Sequence, residues 1–143
     1  MCLKGEIKMA IKWTPDLTVG LEHIDAQHKI LFEKIDNLFE AGRSGKSKEV
    51  IGETLEFLDA YTKQHFRDEE LYMANIKYPH LDQQKAAHKS FIEQIAKLKQ
   101  EYNQSGGNIL LIINANQTLV KWLTQHISVM DKQIGIYAKN LKK

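Results

Sequence analysis

A chain of 143 residues with 43% hydrophobic content is long enough for one domain with a sizeable core and too short for two well-packed ones. Twenty basic against 18 acidic side chains leave a formal net charge of +2, with Lys and Arg scattered among acids, so electrostatics gives no case for a nucleic-acid partner. No run of about twenty apolar residues is present to span a bilayer, the opening MCLKGEIKMA lacks the apolar stretch of a secretory signal, and Cys2 alone permits neither an internal disulfide nor a cysteine metal motif; a cytoplasmic protein is expected.

Met9 opens MAIKW, and residues 1–8 are read as an extension upstream of a domain at 9–143. Residues 9–20 read as an extended arm laid over the helical body of that domain. The first helix is predicted from about Leu21 to Ala41, where Leu21, Ile24, Leu31, Ile35 and Leu38 recur at three- and four-residue spacing and His28 fills the one gap in the stripe. The second, from about Ser47 to Met73, carries Ile51, Leu55, Leu58, Tyr61 and Thr62 on one face, and that face continues onto His65 and Glu69. Pro79 closes the connection. The third, from about Leu81 to Tyr102, turns Phe91, Ile95 and Leu98 inward and, read backwards, His88 and Gln84; Ser105-Gly106-Gly107 ends it. The fourth, from about Asn108 to Asn140, places Ile112, Leu119, Leu123, Met130 and Ile134 near one face with His126 among them, and Gly135 weakens its last turn. Short links between long helices favour antiparallel neighbours, so the expected fold is an all-α, up-down-up-down four-helix bundle with an N-terminal extended arm.

Four histidines and two carboxylates thus sit where apolar side chains belong. A lone histidine on an apolar face is usually a core residue hydrogen-bonded to a carbonyl, and Glu69 within RDEE reads equally well as part of a solvated acidic patch. Agreement between segments changes that balance. His28, His65, His88 and His126 fall one to a helix, His65 and Glu69 are i and i+4 on one face, and burying these groups with Asp131 is costly unless something neutralises and coordinates them. A metal does both, and the donor set suits iron, manganese or zinc rather than copper(I). His126 and Asp131, five apart, are rotated by roughly 140° around an α-helix, so Asp131 is expected to point along the groove and bridge. His23 and His80 lie off the stripes or beside turns and read as surface residues.

These residues resemble a hemerythrin domain, specifically the single-domain bacterial form, bacteriohemerythrin. The resemblance runs over nearly the whole chain from Met9. It rests on IKWTPDLTVGLEHIDAQHK with His28, HFRDE with His65 and Glu69, YPHLDQQKAAHKSF with His88, and WLTQHISVMD with His126 and Asp131. It implies a cofactor of two iron ions (Fe2+/Fe3+) with an oxo or hydroxo bridge, also bridged by Glu69 and Asp131. His28 and His65 would hold the open iron at which dioxygen binds; His88 and His126 would belong to the other. Leu31, Phe66, Trp122, Leu123 and Ile127 match the family's oxygen pocket, though each also serves as ordinary core. One position departs from the family's His-x-x-x-His pair on the third helix: Gln84 stands four residues before His88, a neutral and weaker donor than imidazole.

The resemblance implies an oxygen-binding protein that carries, stores or senses dioxygen, not an enzyme. The helix faces outside the core are charged and show no large apolar patch, so a monomer is expected, and the composition gives no nucleic-acid or membrane partner. Two alternatives remain open on the sequence. One is a di-iron oxidase or peroxidase-like enzyme, although no Glu-x-x-His motif of the carboxylate-rich oxidases occurs. The other is a metal-altered interaction module, mononuclear or zinc-bearing, for which Gln84 is the support.

Overall fold

The computed structural model describes residues 13–141; the expected extension at residues 1–8 and the first part of the arm lie outside them. A short 3-10 turn, Pro15–Leu17, precedes five helical segments: α1 (Glu22–Arg43), α2 (Lys48–Asn75), α3 (Leu81–Gln104), α4 (Ile109–His126) and α5 (Lys132–Leu141), the last two joined by a π-helical turn, Ile127–Asp131. Each long helix packs on its neighbour in the chain and α1 also packs on α4, which closes a four-helix up-down-up-down bundle with α5 prolonging the fourth arm.

Local chemistry sets the helix ends. Ser47 caps α2 by accepting the Val50 N–H, and Asn108 caps α4 by accepting from Leu110. At the other ends the chain needs a left-handed residue to turn out of the helix, and Gly45 (φ 73°) and Gly106 (φ 77°) supply it. The i→i−5 bonds Lys46 N–H to Ala41 O and Gly107 N–H to Tyr102 O then satisfy carbonyls of the last turns.

The predicted stripes are the core. Ile24, Leu31, Ile35 and Leu38 of α1, Ile51, Leu55, Leu58 and Thr62 of α2, Phe91, Ile95 and Leu98 of α3, and Ile112, Leu119 and Leu123 of α4 are all buried. Leu21 and Tyr61 are partly buried against them.

Two expectations are corrected. The fourth helix does not run unbroken from Asn108 to Asn140: one extra residue per turn enters at Ile127–Asp131, the Lys132 N–H reaching back to the Ile127 carbonyl. This shifts the register, so Met130 is only half-buried whereas Ile127 and Ile134 are buried. The arm is not extended throughout, since Pro15–Leu17 coils once before Thr18 returns to extended backbone (φ −62°, ψ 128°). It then docks, with Leu17 and Val19 buried in the main core. Asp25 fixes it from α1, its carboxylate accepting the Val19 and Gly20 N–H groups at 2.7 and 3.2 Å. Gly135 has its reason here: a Cβ at that position of α5 would collide with the Val19 carbonyl oxygen, so the residue that weakens the helix is the one that admits the arm.

Candidate metal centre

All six donors singled out from the sequence meet at one point inside the bundle. α1 brings His28, α2 brings His65 and Glu69, α3 brings His88, α4 brings His126, and the π turn brings Asp131; none is more than 5% exposed. Glu69 lies at the middle, its Oε1 3.0 Å from His88 Nε2 and its Oε2 3.5 Å from His28 Nε2 and 3.6 Å from His65 Nε2. Asp131 makes a second link, Oδ2 lying 3.1 Å from His28 Nε2 and Oδ1 3.2 Å from His126 Nε2. The donor atoms fall into two clusters that share Glu69: His28, His65 and Glu69 on one side, and Glu69, His88, His126 and Asp131 on the other, the atoms of each lying within 4.8 Å of one another.

Gln84 is buried at the same place, with its Nε2 donating to Asp131 Oδ1 at 3.0 Å. His23 and His80 are exposed and outside the cluster, as read from the sequence. Of the apolar group, Leu31, Phe66, Leu123 and Ile127 are buried and Trp122 partly so. Phe66 stacks on His88 (centroids 3.8 Å, planes 3° apart) and Trp122 stacks on His126 (4.6 Å, 12°).

Three residues that sequence reasoning passed over orient the imidazoles. Gln27 uses its Nε2 to donate to Asp68 Oδ2 (2.9 Å), which turns its Oε1 towards His65 Nδ1 at 2.7 Å. That nitrogen must therefore donate, leaving the lone pair of His65 on Nε2, facing Glu69. Glu70 does the same for His88 through Nδ1 at 2.8 Å. Gln27 and Glu70 sit beside His28 and Glu69 in sequence, but these contacts cross between helices, and no spacing along one helix signals them.

Protonation follows from the same geometry. Burial works against a charged His28, yet the close approach of the Asp131 and Glu69 carboxylates, at 3.1 and 3.5 Å, outweighs it and raises its pKa to about 9. His65 has only weaker charge attraction to offset burial, and its pKa falls to about 4. Glu69 and Asp131, although burial favours their neutral forms, are held below the ordinary carboxylate range by the histidines around them.

Whether a metal fits is decided by what lacks a partner. The Nε2 atoms of His28, His65, His88 and His126, both oxygens of Glu69 and Oδ2 of Asp131 are buried without a hydrogen bond of good geometry. Orphaned donors converging in one core are expensive, and imidazole nitrogens with carboxylate oxygens are the ligands borderline and hard divalent cations take. The residues fit a pair of cations.

Comparison with known proteins points to a cation-binding domain. Residues 19–135 match the family model described as Hemerythrin HHE cation binding domain. The chain is 30% identical over 130 residues to a Bacteriohemerythrin of Stenotrophomonas maltophilia (strain R551-3), covering 91% of this chain and 80% of that one. It is 30% identical over 126 residues to the Myohemerythrin of Theromyzon tessulatum, covering 88% and 92% respectively. A crystal structure of wild-type hemerythrin superposes with a TM-score of 0.81 at 25% identity, over 89% of this chain and 96% of that one. The chain belongs to the hemerythrin family. Among the described residues no helix is long and apolar enough to cross a membrane.

Proposed function

We propose that this protein is a non-haem di-iron protein that binds dioxygen reversibly, for carriage, storage or sensing, rather than an enzyme. The observation that carries the reading is the pair of buried donor clusters sharing one carboxylate. His28 and His65 would hold one ion and His88 and His126 the other, with Glu69 and Asp131 bridging. When bound, the iron pair supplies the two electrons that make dioxygen binding possible and reversible.

The chain's own residues do the rest. Leu31, Phe66, Leu123 and Ile127, at 0–2% exposure, keep water and stray protons from the centre, which reversibility requires. Gln27 and Glu70 fix two ring orientations so that donors are in place before a ligand arrives. Exposed large apolar residues are spread over several helices, among them Ile30, Phe57, Leu110 and Ile136, which favours a monomer; the lone Cys2 is consistent with work in the cytoplasm.

Anaerobic loading with iron(II), a count of iron per chain, and visible spectra on admitting and withdrawing oxygen test the reading. Two irons and a colour change that reverses are expected. One iron or fewer, or irreversible oxidation, would sink it.

A further inference from the structure

With Gln84 set aside, the two sides of the centre carry equal protein donors: His28 and His65 on one, His88 and His126 on the other, with Glu69 and Asp131 within reach of both. Gln84 does not restore a third imidazole. Its side chain is 1% exposed, its Nε2 is spent as a hydrogen-bond donor to Asp131, and its Oε1 is buried without a partner. A neutral amide oxygen is a weak donor that an anion displaces from a divalent or trivalent ion.

The surroundings of the two sides differ as well. On the His28 and His65 side both rings are 0% exposed. On the other, a shallow surface cleft of about 340 Å³ is lined by Ala87, Trp122, Gln125, His126, Val129 and Met130. His126 is therefore both a member of the donor cluster and part of the wall of a solvent-facing cleft, and its ring is covered on one face by the partly buried Trp122.

Resting on the dinuclear reading above, we propose that the ion on the His88 and His126 side keeps an exchangeable position for a small monodentate anion, reached from the cleft beside Ala87 and Trp122. The centre then takes exogenous ligands on both ions rather than one.

Azide is the probe, titrated against iron-loaded, oxidised protein with the iron content of each sample measured. Two azides per two-iron centre are expected in the unaltered protein and one in Gln84→His, where an imidazole closes the second position. Two irons with a single azide in both proteins would overturn the proposal and leave the dinuclear reading standing, whereas fewer than two irons in the unaltered chain would overturn both. If Gln84→His does not retain two irons, Ala87→Leu decides: it narrows the cleft without touching a donor, and should slow entry of one of the two azides only. Unchanged rates for both would overturn the assigned route.

Discussion

The centre is built from two histidine–carboxylate pairs made in different ways. His65 and Glu69 lie four residues apart on an unbroken α-helix, one turn above each other, with Nε2 and Oε2 at 3.6 Å. His126 and Asp131 lie five apart, which on an α-helix would splay them, yet their Nε2 and Oδ1 come to 3.2 Å because the π turn at Ile127–Asp131 absorbs the extra residue. One spacing works because the helix is regular and the other because it is not.

The sharpest test of the two sides is to remove the group that their donor clusters share. Glu69 faces His28, His65 and His88 at once, so Glu69→Ala should drop iron retention from two per chain to below one, read by elemental analysis after desalting. Retention of a full ion would mean that the sides are independent.

A smaller effect separates what lies behind one histidine on each side. Glu70 backs His88 with a charged acceptor and Gln27 backs His65 with a neutral one, and outer partners of metal-bound histidines are worth about 10–100-fold in metal affinity. Glu70→Ala and Gln27→Ala should each weaken iron binding within that range. Glu70→Ala should do so more, since hydrogen bonds to an ionised acceptor are roughly twice as strong. Competition with a chelator reads both, and equal losses would show that the charge of Glu70 does not matter.

In the metal-free protein the histidines should also answer pH in opposite directions, His28 against its neighbour His65. The His28 pKa is raised from 6.5 to about 9, so its contribution is full below pH 6.5 and lost as pH climbs through 9. His88, also raised by Glu69 and Glu70 against burial, acts in the same sense. The His65 pKa is depressed from 6.5 to about 4, so its contribution holds above 6.5 and is lost as pH falls towards 4, where Glu69 and Asp131 begin to lose theirs. Thermal melts should peak near pH 6.5 and decline on both sides; a Tm rising steadily from pH 5 to 9 would contradict the arrangement.

Much of this was legible in the chain. The four helices, their inward faces and His28, His65, Glu69, His88 and His126 followed from three- and four-residue periodicity, because a buried stripe fixes which side chains share a face; Asp131 stood off that pattern. Three things were not. The π turn is a backbone irregularity with no residue type that announces it, and its only trace was the awkward five-residue spacing. Gln27 and Glu70 act across helices, where periodicity carries no information. Gly135 read as a flaw in a helix until the Val19 carbonyl was found against it.

The smallest expected effect tests the π turn itself. Val129 is exposed, at 67%, and sits inside the turn between His126 and Asp131. Deleting it leaves His126 and Asp131 four apart, the spacing at which an ordinary α-helix stacks them on one face as α2 stacks His65 and Glu69. The same deletion returns the Lys132 amide to a four-residue bond and keeps Ile134 and Gly135 in register with the core and the arm. If the turn serves only to correct the spacing, the deletion variant should hold as much iron as the parent and melt close to it. If instead iron retention falls while the fold survives, the widened turn itself sets how Asp131 meets His28, at 3.1 Å, and His126 together, and the two pairs are not the same device.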